Sequence, residues 1–320
     1  MKKFLKKLFL FALPVCIFFA MMEYLLRNIR NDYALKAEVY KQNAEGFETL
    51  ILGNSCALYG LNPVYFNTKT YNGAHLAQTF DIDDAVFHKY EPRFTKLKYV
   101  LIPVTDMSFF FKLGNSDDSW RVTNYFVYYN LYPSARISDY FEILNLPFSI
   151  NRNRLISYYI KKKSPVTITD LGFGNDYTPD SRHNLDTTAV EQTRIHRITD
   201  YKEFDQEKGS LERIVKTCIR RNIEVVLFIP PAYKGYVSMI DSLQLSRTFQ
   251  VCNYFKDTYK NVSYYNFLND TSFHSDDYFD AVHLNQTGAK KMSLKMNAIL
   301  EQSEKQSLTE RKGFQKNEGH

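Results

Sequence analysis

The pattern of apolar and polar positions changes character along the chain. It opens on a nearly unbroken apolar run, Leu8 to Met22, which Leu25 and Leu26 extend past Glu23 and Tyr24. From about position 49, short β-rich runs alternate with stretches of helical period. Thr49 to Leu52 is an expected strand that ends in Gly53-Asn54-Ser55, and Lys69 to Tyr71 is a second that ends in Asn72-Gly73. Tyr99 to Val104 is a third, apolar throughout. Ile223 to Ile229 is the clearest of all, and Pro230-Pro231 stops it because proline offers no N–H to a ladder. Val262 to Asn266 is the last. Helices are expected over about Leu76–Tyr90, Leu211–Arg221, Leu245–Tyr259 and Ala289–Gln302. Strands alternating with helices of this length predict an α/β domain built on a parallel sheet.

Three stretches lie outside that rhythm. Residues 31–46 read as a polar helical connector, with Ala34 to Ala44 its helical part. Residues 105–204 form a long aromatic-rich insertion after the third strand, with Phe109-Phe110-Phe111, Tyr125-Phe126 and Tyr128-Tyr129. Structureless loops of that length are uncommon in compact domains, so the insertion is expected to pack over one end of the sheet. It would serve as a lid or substrate platform, or simply complete the core. The polar tail, 303–320, is expected to be disordered.

Composition narrows the class. The chain has 320 residues, 44% hydrophobic and 16% aromatic, with 12 Gly and 10 Pro, which excludes collagen-like, low-complexity and wholly disordered chains. Its formal charge of +6 looks basic, yet Lys2, Lys3, Lys6 and Lys7 supply four of those charges ahead of the apolar run. No basic face remains for nucleic acid. Residues 1–30 fit a signal-anchor: from Leu8 to Leu26 a helix nearly crosses a hydrocarbon core. A cleaved signal peptide and a buried soluble helix are the alternatives; no A-x-A-like site follows the run. The lysines would stay cytoplasmic and place residues 31 onward outside, although Arg27 and Arg30 soften the asymmetry. Four cysteines do not make a disulfide scaffold. Cys218 and Cys252 read as two buried thiols or as one bridge.

Two constellations carry candidate chemistry. Ser55 ends a strand-to-turn segment, where open α/β sheets place their ligands; it also reads as a plain helix N-cap. Asp280-Ala281-Val282-His283 precedes the last helix, and i,i+3 spacing lets a carboxylate hold an imidazole tautomer for proton transfer. A surface Asp beside a packing His is the alternative. His75 and Gln78 follow Gly73 and could line the same cleft, whereas His183, His196 and His274 lie in polar stretches and are expected to face solvent. No metal or cofactor motif is present: there is no C-x-x-C, H-E-x-x-H, Walker loop or G-x-G-x-x-G.

Taken together, the two constellations resemble the SGNH/GDSL hydrolases. Gly53-Asn54-Ser55 looks like the first block of that family, with Asn54 where Asp is usual. Asp280 and His283, with Leu284-Asn285 and Gly288 behind them, are similar to its last block. The resemblance covers roughly Glu48 to Asn297, leaving the insertion unmatched. It implies a three-layer flavodoxin-like fold over 47–302, with Ser55 as nucleophile, His283 as general base and then acid, and Asp280 as its partner. Gly73 falls where the second block supplies an oxyanion N–H. The third block, Gly-x-Asn-Asp, is missing: that strand ends in Pro103-Val104-Thr105-Asp106, so Asn72, Thr105 or nothing replaces the Asn donor. Gly174-Asn175-Asp176 looks like a fragment of that block, but no apolar strand precedes it.

The implied activity is that of a serine esterase or O-acyltransferase working through an acyl-serine. With the anchor and the Pro-Val-Thr variant, the chain most resembles SGNH proteins of envelope polysaccharide modification, such as those of alginate O-acetylation and of D-alanyl transfer to teichoic acids. That likeness implies an acylated glycan or small ester as substrate, a bacterial cytoplasmic membrane location with the domain outside, and a membrane-bound O-acyltransferase as partner. The rival reading is a non-catalytic SGNH-like protein that binds glycan or scaffolds such an acyltransferase.

Overall fold

The computed structural model describes residues 1–131 and 136–317, with side chains through residue 306. In chain order the helices are α1 (Lys2–Arg27), α2 (Asp32–Asn43), α3 (Ser55–Gly60), α4 (Phe80–Tyr90), α5 (Val122–Tyr129), α6 (Glu142–Asn145), α7 (Phe148–Leu155), α8 (Leu185–His196), α9 (Phe204–Arg220), α10 (Lys234–Val237), α11 (Ser242–Thr258) and α12 (Gln286–Asn317). The strands are β1 (Thr49–Ile51), β2 (Thr70–Asn72), β3 (Tyr99–Pro103), β4 (Glu224–Ile229) and β5 (Val262–Asn266). The chain forms two compact units, one of residues 1–40 with 113–166 and one of 41–112 with 167 onward.

The second unit is built on a five-stranded, all-parallel sheet of order β2-β1-β3-β4-β5. That order is the flavodoxin-like doubly wound arrangement, and its direction reverses beside β1. The central strands explain themselves: Leu50-Ile51, Val100-Leu101-Ile102 and Val225 to Ile229 are all buried, as strands covered on both faces must be. β5 is an edge strand and exposes its end. Right-handed crossovers send α3 to one face and α4, α9 and α11 to the other. The packing agrees, with α4 against α9 and α12 against α3. Ser55 follows β1 directly, and Asp280 and His283 follow β5, so both leave carboxyl ends of parallel strands.

The other unit is helical, and it changes two expectations. The connector at 31–46 is not a bare polar spacer: α2 buries Tyr33, Lys36, Ala37 and Tyr40 along one face. Tyr33 meets Tyr125 edge-on at 5.4 Å between ring centroids, and Tyr40 meets Tyr129 at 6.2 Å. The insertion at 105–204 is also divided. Its middle, 113–166, folds with the N-terminal helices, whereas its two ends join the sheet unit. There Phe109 and Phe110 pack on Phe80, Tyr201 and Phe204 as core. Positions 132–135 of the insertion lie outside the described residues.

One smaller difference remains. α12 runs on to Asn317, well past the expected end at Gln302, through a segment read as tail. Its Glu, Lys and Gln residues are good helix formers without an apolar stripe to announce them; positions 318–320 of that tail lie outside the described residues. Cys218 and Cys252 are buried free thiols.

Candidate active site

The turn after β1 is held from several sides. Gly53 sits at φ +105°, and a Cβ there would lie 2.5 Å from Pro103 Cδ on the neighbouring strand, so both backbone and space demand glycine. Its N–H donates to Asp83 Oδ1 at 2.9 Å, and its carbonyl accepts from His75 N–H at 3.1 Å. The Asn54 side chain accepts from Cys56 N–H at 3.0 Å, capping α3. Asn54, not Ser55, is therefore the N-cap. Ser55 is the first helical residue, so its N–H has no intrahelical acceptor, and none of the described residues accepts from it.

The loop after β5 is equally constrained. An antiparallel bridge joins Tyr278 to Leu284, and Asn285 Oδ1 accepts from the N–H groups of Thr287 and Gly288 to start α12. A Cβ at Gly288 would strike the carbonyl of Asp277, which explains the glycine. Inside the loop, Asp280 Oδ1 accepts from the backbone N–H of Val282 and of His283, each at 2.9 Å. His283 Nδ1 lies 3.0 and 2.9 Å from the two Asp280 oxygens, and Nε2 lies 2.8 Å from Ser55 Oγ. With the acceptor-only carboxylate on one side, the hydrogen-bond network assigns the proton to Nδ1, leaving Nε2 to accept from the serine hydroxyl. Cys56 ties the two loops together, its thiol donating to Val282 O at 3.7 Å.

Electrostatics fits this geometry. Burial alone would raise the Asp280 carboxyl, but the His283 imidazole and the two backbone N–H groups hold it below its ordinary value. Burial pushes the Cys56 thiol far up, with Asp280 and Asp106 adding to it, so the cysteine beside the serine stays protonated. Two rings, Tyr59 and Tyr177, wall the imidazole. Tyr177 stacks between Tyr59 and Phe279 at 3.5 and 3.7 Å, and both tyrosines meet His283 edge-on.

The remaining candidates are placed otherwise. Gly73 donates its N–H to Ile51 O at 2.8 Å, extending the β1–β2 ladder by one residue, so it is not free to face an oxyanion. Asn72 is fully buried; its Nδ2 donates to Ala57 O and Leu61 O, and its Oδ1 accepts from Ala74 N–H. It braces α3 from beneath. Thr105 exchanges both its N–H and its hydroxyl with Ser108 Oγ. His75 is buried at 3% exposure, and Gln78 donates to Asp83 Oδ1 at 2.6 Å. Gly174 lies in a turn bridged to Ile168, where its N–H donates to Leu58 O; Asn175 is exposed. Of the expected oxyanion donors, only the Ser55 N–H is left without an acceptor.

Three groups escape a reading of the sequence. Asp83 sits on the buried face of α4, 28 residues from Ser55, and no motif marks it. Tyr177 belongs to the insertion. His196 was expected in solvent but is half-buried, with Nδ1 2.8 Å from Tyr236 Oη, which donates to Asp106 Oδ2 at 2.8 Å. Burial and the nearby His283 lower His196 to about 4, whereas burial raises Asp106 to about 6. His196 is therefore neutral and fixed as an Nδ1–H donor. The three residues line a cavity of about 30 Å³ with Cys56, Thr105 and Val282. His183 and His274 are exposed. Among the described residues, no group of three or more His, Cys, Asp or Glu side chains is placed to hold a metal ion.

No protein-family model matches the chain, and neither does any curated protein. Two solved structures are similar in fold. One is a Streptococcus pneumonia protein provisionally named a platelet activating factor, with 8% identity and a TM-score of 0.41 over 91% of this chain and 98% of that one. The other is a Bacteroides fragilis protein provisionally named an acylhydrolase, with 12% identity and a TM-score of 0.39 over 82% and 95%.

Proposed function

We propose that the chain is a membrane-held serine esterase or O-acyltransferase that works on O-acyl groups of an envelope or extracellular glycan. The observation that carries this reading is the contact of Ser55 Oγ with His283 Nε2 at 2.8 Å, backed by Asp280 at 2.9 Å. Ser55 Oγ attacks the ester carbonyl while His283 Nε2 takes its proton, and Asp280 stabilises the imidazolium that results. The Ser55 N–H faces the oxyanion. When the tetrahedral intermediate collapses, the C–O bond to the alcohol breaks and His283 returns the proton to the leaving oxygen. Water or a sugar hydroxyl then attacks the acyl-serine by the same proton path in reverse. The cavity beside Cys56, with room for about two water-sized groups, suits a short acyl group.

One donor at the oxyanion is few. Each one missing costs about 10²–10³ in rate, which fits a specialised catalyst rather than a broad esterase. The same shortage favours the second reading, a non-catalytic scaffold for a membrane-bound O-acyltransferase. The apolar helix α1 supports attachment to a membrane: it is long and apolar enough to cross one, and most of its apolar side chains are exposed. The extracytoplasmic side is proposed from the lysines ahead of it.

The test is labelling of the full chain by a serine-directed fluorophosphonate, together with hydrolysis of an aryl acetate. Wild type should label and turn over, and Ser55→Ala should do neither. If wild type and variant are equally inert in both assays, the scaffold reading replaces the enzyme.

A further inference from the structure

The helical unit holds two cavities, one along the C-terminal part of α1 and one just past its end, and their chemistry differs. The first, of about 240 Å³, is lined by Phe18, Met21, Met22 and Leu25 of α1 and by Phe148 and Leu155 of α7, with Arg152 at its side. The second, of about 190 Å³, is lined by Ile29, Asn31, Arg154, Ser157, Lys163 and Ser164. From Phe18 to Ile29 the chain rises roughly 16 Å at helical pitch, about the depth of one leaflet's hydrocarbon layer. An apolar slot therefore lies at acyl-chain depth and a cationic, hydroxyl-lined one at the end of the apolar run.

The surroundings point to lipid as well. Glu23 is an acid inside the apolar run, and it is fully used: its carboxylate accepts from Arg27 Nε and from the N–H groups of Glu142 and Ile143 at the start of α6. That contact fixes α6 and α7 against α1, with Met22, Leu26 and Ile29 packed on Ile143, Leu155, Tyr158 and Tyr159. Several apolar side chains are exposed along this stretch, with Leu144 60%, Phe148 52% and Ile160, just past α7, 74% exposed, beside the polar Ser149, Arg152 and Asn153. Exposed apolar surface beside a cationic rim is the pattern of an interfacial element. Among the described residues, Arg152, Lys161, Lys162 and Lys163 have no ion-pair partner. Arg154 spends Nη1 on Glu142 and Asn151 and leaves Nε and Nη2 without an acceptor.

We propose that this seam binds one anionic phospholipid of the leaflet at the C-terminal end of α1. Its phosphate sits between Lys163 and Arg154, with Ser157 and Ser164 donating to it, and one acyl chain lies in the slot between α1 and α7. The proposal rests on α1 lying in a bilayer and is independent of which side the sheet unit faces.

The experiment uses the full chain in nanodiscs of phosphatidylcholine with or without phosphatidylglycerol, released into mild detergent for native mass spectrometry. Wild type should retain one phosphatidylglycerol in preference to phosphatidylcholine. Lys163→Glu should lower that retention about five- to tenfold, and Ile156→Trp, at a residue that also lines the apolar slot, should fill it and lower retention without changing charge. Hydrogen-exchange protection of α1 and α7 should stay at the wild-type level in both variants. Equal retention of the two lipids, or retention unmoved by both variants, overturns the site. Displacement by soluble glycerol phosphate as effective as by the lipid overturns the acyl-chain half. A chain that carbonate strips from membranes overturns the anchor and the site together; one that stays embedded but retains no lipid overturns the site alone.

Discussion

Asp83 shows how much of the site rests on residues that do no chemistry. It holds the Gly53 N–H at 2.9 Å and the Gln78 amide at 2.6 Å, while its Oδ2 is buried without a partner. Burial raises its carboxyl from 3.8 to about 7. Between roughly pH 4 and 7 the folded chain thus keeps a proton that the unfolded chain has lost, so this group lowers stability as pH rises through that window. Asp83→Asn keeps an acceptor for Gly53 and cannot titrate. Denaturation midpoints measured across that range should flatten in the variant relative to wild type; parallel slopes would refute the assignment. At the other pole of the site, Asp280→Asn should leave the fold intact and cut kcat by about 10⁴, because the wrong imidazole tautomer then faces Ser55. A kcat within tenfold of wild type on an aryl acetate would remove Asp280 from the mechanism. Ser55, Asp280 and His283 were legible because each stands in a short motif beside a strand end or a helix start. Gly73, Asn72 and His196 were misplaced because their partners (Ile51, Ala57 and Tyr236) are set by tertiary packing, which no local pattern encodes.

At the scale of elements, the strand-to-helix turn at Gly53 is the place where a single methyl group matters most. Gly53→Ala meets both a positive φ and the Pro103 ring at 2.5 Å. The expected loss is about 2 kcal/mol or more, since strain and a steric clash add. Fluorophosphonate labelling should fall with it, as the turn that presents Ser55 must shift. A urea midpoint unchanged from wild type would show that the turn relaxes freely. The strands were the most legible elements: β5 begins and ends at the expected residues, β1, β3 and β4 differ by one residue at one end, and β2 is shifted by one residue. Apolar runs closed by Gly, Pro or Asn leave little choice. Helices were harder wherever their apolar face was aromatic rather than aliphatic. α2 hides its inner face in Tyr33, Ala37 and Tyr40, which read as polar until Tyr125 and Tyr129 are seen against them.

At the scale of the whole molecule, the N-terminal helices are part of a folded unit rather than only an address. Residues 1–40 supply Met22, Leu26 and Ile29 to one cluster and Tyr33 and Tyr40 to another, and residues 113–166 supply the other half of each. Neither half can bury those side chains alone. The sheet unit, by contrast, draws its buried strands entirely from 41–112 and 167 onward. A chain lacking residues 1–40 should therefore lose protection over 113–166, where Tyr125, Tyr129 and Leu155 become exposed, while β1 to β5 stay protected. Limited proteolysis read by mass spectrometry would place the first cuts. Cuts confined to 113–166, with Ser55 still reactive toward a fluorophosphonate, are the expected result. A truncated chain whose 113–166 segment resists as well as in wild type would show that the helical unit holds without its N-terminal half. The expected insertion was visible in the sequence as a break in rhythm, but its division was not. Which side chains a stretch of tyrosines will meet depends on a segment some ninety residues earlier, and composition carries no trace of that pairing.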